Sequence, residues 1–214
     1  MSLRFEFVNI MKSDHQNLIK NVISDATSHV IQQLLPLTNV LIKIHADDKL
    51  AIPEHGVGGW CFNEIEIEIA VSPNREGDWV THLPRAIAHE WHHLARWRGP
   101  GYGSTLVDTI ISEGLAQHFE VECFPGSPSF YSRFLSESQR RDAVRAFLKE
   151  SADPDYDHSR WFFGSHELPF LAGYDVSFHL LEKYLNSKNS VASNEVALQS
   201  SALLNYLSLA KVCS

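Results

Sequence analysis

The stretch "RAIAHEWHHLARWRG", residues 85–99, places three histidines and a glutamate in five consecutive positions. Pro84 stands just before it and Gly99-Pro100 just after, a tolerable helix start and a firm stop. Inside it, His89-Glu90-Trp91-His92-His93 has the form H-E-x-x-H. Residues four apart on a helix differ by about 40° in angle and ~6 Å in rise, so His89 and His93 project side by side. Two imidazoles placed in this way can share one tetrahedral zinc ion. Glu90 falls about 100° from one and about 60° from the other, close to both without having to ligate. That is where a general base must stand to take a proton from a metal-activated water. A polar helix face open to solvent would give the same letters, so a third ligand has to decide.

A metzincin continuation would need glycine at 96 and histidine at 99, but the chain has Arg96 and Gly99 there. The next helix, "TLVDTIISEGLAQHFEVECF" (105–124), offers Glu113 instead, twenty residues after His93. Leu106 and Ile110 flank this glutamate, while Val107, Ile111, Leu115 and Phe119 line the other side. A helix apolar on opposite sides is buried, and a carboxylate within it calls for a cation.

H-E-x-x-H followed, after a glycine-containing loop, by S-E-G-L-A resembles the gluzincin metallopeptidases, the thermolysin-like group. The resemblance implies zinc ligation by His89, His93 and Glu113, one ion, and water activation by Glu90. The fuller set "HEWHHLAR", "SEGLAQHFE" and "LPFLAGY", over about residues 80 to 185, resembles a bacterial family of predicted zinc-dependent proteases. Where thermolysin-like enzymes use an aspartate, one turn past the third ligand, to orient the first histidine, this chain has Gln117. Its amide oxygen could accept the same imidazole N–H. For the oxyanion donor the candidates are Tyr174, His179, His166 and Tyr102. Tyr174 is favoured because Gly173 allows close approach and the resemblance places an aromatic hydroxyl there.

Of the other residues in the motif, Trp91 reads as core and His92 as a supporting or surface residue. Arg96 could be a structural partner for an acidic group. His15, His29, His45, His55, His82, His118 and His158 lack ligand spacing and read as packed or solvated. In "EIEIEIAV" (64–71), Ile65, Ile67 and Ile69 alternate with Glu64, Glu66 and Glu68, a half-buried strand with an acidic face. As an edge beside the motif helix it could pair with an extended peptide. Alternatively its charges only keep an exposed edge from aggregating.

At 214 residues the chain is long enough for one substantial core. Residues 10–35 show helical period through Leu18, Val22, Val30 and Leu34, ended by Pro36. "NVLIKIH" (39–45) is β-rich, and further helices are expected at about 134–151, 170–187 and 194–210. The expected fold is α+β and zincin-like in one domain, 1–214. A small, mostly antiparallel sheet lies in 1–77 and the zinc site in a helical part, 78–214. A net charge of −8 argues against nucleic acid as partner. No apolar run reaches membrane-spanning length or resembles a signal peptide. Three scattered cysteines, Cys61, Cys123 and Cys213, form no disulfide framework and suit a cytoplasmic location. The expected function is peptide-bond hydrolysis on a peptide or protein substrate. The alternatives are a zinc-stabilised binding or regulatory module without proteolysis, and a surface histidine cluster without zinc.

Overall fold

The computed structural model describes residues 3–8, 12–34 and 37–209. The expected limits of the first helix, at Ile10 and Pro36, lie outside the described residues, as does Cys213. The chain is α+β. In order come β1 (Leu3–Phe7), α1 (Ser13–Val30), β2 (Val40–Ala46), β3 (Val57–Trp60), β4 (Glu66–Val71), α2 (Glu76–Arg98) and α3 (Leu106–Cys123). Then follow α4 (Glu137–Glu150), α5 (His158–Phe163), α6 (Ala172–Lys188) and α7 (Ser200–Leu209).

Two compact units divide it. One is Met1–Arg98 with Phe119–Pro125; the other is Gly99–His118 with Gly126–Ser214. The helix α3 contributes residues to both.

In the first unit the strands run in the order β1-β2-β4-β3. The sheet is mixed, which corrects the expectation of a mostly antiparallel one: β1–β2 and β2–β4 are parallel, and only β3–β4 is antiparallel. The cause is the connections. The 18-residue helix α1 carries the chain from β1 back to the start of β2, as a parallel pair requires, and only the short link from β3 to β4 permits a hairpin. β1 and β3 were not legible, because "LRFEF" is short and "VGGW" sits among turn residues.

β4 begins at Glu66, and Ile65 is exposed. With β2 and β3 on its two sides, β4 is an interior strand, so both edge-strand readings of its glutamates are withdrawn. Glu66 pairs with Lys43 at 2.9 Å and Glu68 with His45 at 2.6 Å across the β2–β4 ladder. The acidic face is thus matched by basic side chains on the neighbouring strand. On the opposite face Val40, Ile42, Ile44, Ile67, Ile69 and Val71 are fully buried. Helix α2 packs on β3 and β4 and against α1. In α1 the buried positions are Ile19, Ile23, Ala26, Thr27 and Val30, one residue on from the expected Leu18 and Val22.

Helix α2 starts at Glu76, so Pro84 lies inside it and not in its first turn. An interior proline costs about 3 kcal/mol. Full burial of Leu83, Ile87, Trp91 and Leu94 offsets this, each contributing roughly 1.5–3 kcal/mol for the aliphatic side chains.

In the second unit α6 packs against α4, α5 and the 3-10 turn Phe130–Arg133. Asp175, fully buried in the first turn of α6, accepts hydrogen bonds from Arg140 Nη2 at 3.0 Å and from the Leu135 backbone N–H at 2.8 Å. The short α5 falls between the helices expected at about 134–151 and 170–187; Asp157 caps it, accepting from the Arg160 N–H at 3.0 Å. Among the described residues no helix is long and apolar enough to cross a membrane.

Candidate metal centre

The helical geometry of α2 sets His89 and His93 side by side, with ring centroids 4.6 Å apart and nearly perpendicular planes. Both are buried. His93 has its pKa held well below the ordinary histidine value, first by burial and then by the charges of His89, His92 and Arg96. It is therefore neutral, the form a metal ligand must have.

Glu113 joins them. One ligand atom from each of His89, His93 and Glu113 lies within 4.8 Å of the other two, and all three side chains are buried. Among the described residues this is the one group of three or more histidine, cysteine or acidic side chains so placed. The donor set, two imidazole nitrogens and a carboxylate oxygen, fits zinc. Three protein ligands is also the number typical of catalytic zinc sites, where structural sites use four.

The orienting partner of His89 differs from the expected one. Its Nδ1 lies 2.7 Å from Glu120 Oε1, in a pair almost fully removed from solvent. An imidazole held in this way at Nδ1 ligates a metal through Nε2. Gln117 turns elsewhere, donating from Nε2 to the Tyr174 carbonyl at 3.2 Å, so it is not the group that holds His89. Glu120 stands seven residues after Glu113, two helical turns on and the same face. That repeat was the available signal. A carboxylate behind a ligating imidazole fixes its tautomer and raises its basicity, and losing such a group typically costs 10–100-fold in metal affinity. Glu120→Gln is expected to weaken zinc binding by about that factor, measured by competition with a chromogenic chelator. An unchanged affinity would remove Glu120 from the site.

Glu90 is 4 % exposed and lies against β3, with its carboxylate beside Gly59. His92 is fully buried and tilted against Phe119, so the surface reading of it fails. Trp91 is core as expected, donating from Nε1 to Thr27 Oγ1 at 3.1 Å. Arg96 is buried. Cys61 and Cys123 are free and buried; burial raises both thiols, Cys123 to about 12.

Of the hydroxyl candidates, Tyr102 comes near Glu113, one of the candidate ligands. It stands in the loop between α2 and α3, and its hydroxyl donates a long hydrogen bond, 3.4 Å, to Glu113 Oε1. Tyr174 lies in the first turn of α6, its ring packed on Phe162 and Tyr131 with centroids 4.9 and 5.3 Å away. His118 stacks on Phe178, and His55 stacks on His82 at 4.1 Å. His29 bonds the Cys123 carbonyl at 2.8 Å.

Residues 12–205 match the family model described as "Predicted Zn-dependent protease (DUF2268)". Two proteins of Bacillus subtilis (strain 168), both named as uncharacterized, are similar. YjaZ is 26% identical over 130 residues, covering 56% of this chain and 48% of its own length. YjfC is 26% identical over 160 residues, covering 67% of this chain and 52% of its own. The chain thus spans about half the length of these relatives. No solved structure matches it significantly.

Proposed function

Because this chain belongs to the predicted Zn-dependent protease family, we propose that it is a zinc-dependent peptidase of gluzincin type. The observation that carries this reading is the buried convergence of His89, His93 and Glu113, with Glu120 behind His89. We assign these three side chains to one zinc ion. Bound there, zinc would supply Lewis acidity, making water acidic enough to ionise near neutral pH and polarising a carbonyl.

The chain's own groups do the rest. Glu90, carried between the two histidines on α2, takes a proton from the attacking water and passes it to the departing amine. Glu120 holds His89 in one tautomer. Tyr102 is our choice as donor to the developing oxyanion, in place of Tyr174, because its hydroxyl already reaches the Glu113 carboxylate. Losing one such donor typically costs 10²–10³ in kcat. Tyr102→Phe should lose about that much with zinc content unchanged, and Tyr174→Phe should lose far less. The reverse order in steady-state assays would return the role to Tyr174.

The buried free thiols Cys61 and Cys123 support the cytoplasm as its place of action. A peptide or protein is the proposed substrate. Protein purified without a histidine tag should contain one zinc per chain and cleave members of a peptide library, and a chelator should abolish cleavage. Zinc present with no peptide cut would favour a zinc-stabilised binding module. Absence of zinc would leave only a buried histidine cluster.

A further inference from the structure

We propose that Gly59 is a positioning residue, present so that the carboxylate of Glu90 can occupy the space a side chain would take on β3. This rests on the peptidase reading for its consequence, though not for its geometry. Helix α2 lies against β3. A Cβ built at Gly59 would stand 2.8 Å from both Cγ and Oε1 of Glu90 and 3.1 Å from its Cδ. Those distances are below van der Waals contact, and the obstacle is the end of the very side chain that has to move protons. Across the ladder Gly59 pairs with Ile69, which is fully buried. The Glu90 carboxylate is therefore confined between strand backbone and helix. Its orientation is set by the missing Cβ.

The neighbouring glycine supplies an internal control. Successive strand residues face opposite sides. A Cβ at Gly58 would meet the Leu50 backbone oxygen at 2.5 Å and the Ala51 Cα at 3.6 Å, so it opposes main chain and not Glu90. A side chain would be obstructed at both glycines, by the end of Glu90 at one and by main chain at the other. Neither has a positive φ, so alanine is conformationally permitted at each.

Two measurements test this. In steady-state kinetics Gly59→Ala should bind zinc as the wild type does. Its kcat should fall about 100-fold, the cost of displacing a catalytic group by about 1 Å, with KM nearly unchanged. Gly58→Ala should lower the melting temperature yet keep kcat per folded molecule. The second measurement needs no turnover. Gly59→Ala should lower the melting temperature when Glu90 is present and have no effect in a Glu90→Ala background. Gly58→Ala should cost the same in both backgrounds. If Gly59→Ala fails to fold, recovery of a folded protein in the Glu90→Ala background supports the proposal, and no recovery overturns it. Wild-type kcat in Gly59→Ala, or equal losses in both backgrounds, also overturns it. Should the wild type cut no peptide, the peptidase reading falls while the melting cycle still decides whether Gly59 seats Glu90.

Discussion

Glu90→Gln is expected to bind zinc with wild-type affinity and to lose peptide turnover by about 10²- to 10⁴-fold, the range for removing a positioned general acid–base group. The amide matches the carboxylate in size, so the space beside Gly59 stays filled and the fold is undisturbed. The change is chemical: an amide cannot accept the proton of the attacking water. The loss should appear in kcat, with KM little changed, because the proton transfer belongs to the transition state. Zinc content by metal analysis and single-turnover cleavage of one good peptide would measure both halves. Turnover within a few-fold of wild type would exclude Glu90 as the base.

Glu113→Ala is expected to lose zinc almost completely. Removing a group behind a ligand costs 10–100-fold in affinity, and removing a ligand should exceed about 100-fold. The stability consequence is more diagnostic. Zinc that binds only the folded chain stabilises it by RT ln(1 + [L]/Kd), about 4.1 kcal/mol at a thousand-fold excess over Kd. Wild-type protein should therefore melt at a higher temperature as zinc is added, and Glu113→Ala should not. Without zinc the order should reverse or vanish, because the wild type then buries a carboxylate next to two imidazoles and the variant does not. Parallel zinc-dependent melting of the two proteins would exclude Glu113 as a ligand.

How much of this was legible in the sequence differed from residue to residue. His89, His93 and Glu90 were readable because their spacing becomes geometry through the helix repeat alone. Glu113 was readable from the double-sided apolar pattern of α3, which forces burial. His89's partner was not. Gln117 and Glu120 share a face with Glu113, about 6 and 10.5 Å along the axis, and either could have met the imidazole. The strand "EIEIEIAV" announced its alternation, yet whether it lay at an edge depended on "VGGW", too short and glycine-rich to declare itself as a strand.

By itself, then, the sequence determined what lies within one helical turn or one strand repeat: the pair of imidazoles, the glutamate between them, and the buried face that carries Glu113. Local backbone hydrogen bonding fixes those relations wherever the helix goes. Only the tertiary structure decided that Glu120 stands behind His89, that the sheet is mixed, and that β3 presses Gly59 onto Glu90. Such relations join residues 8 to 37 positions apart, and they are set by how whole elements pack, which no short repeat in the chain encodes.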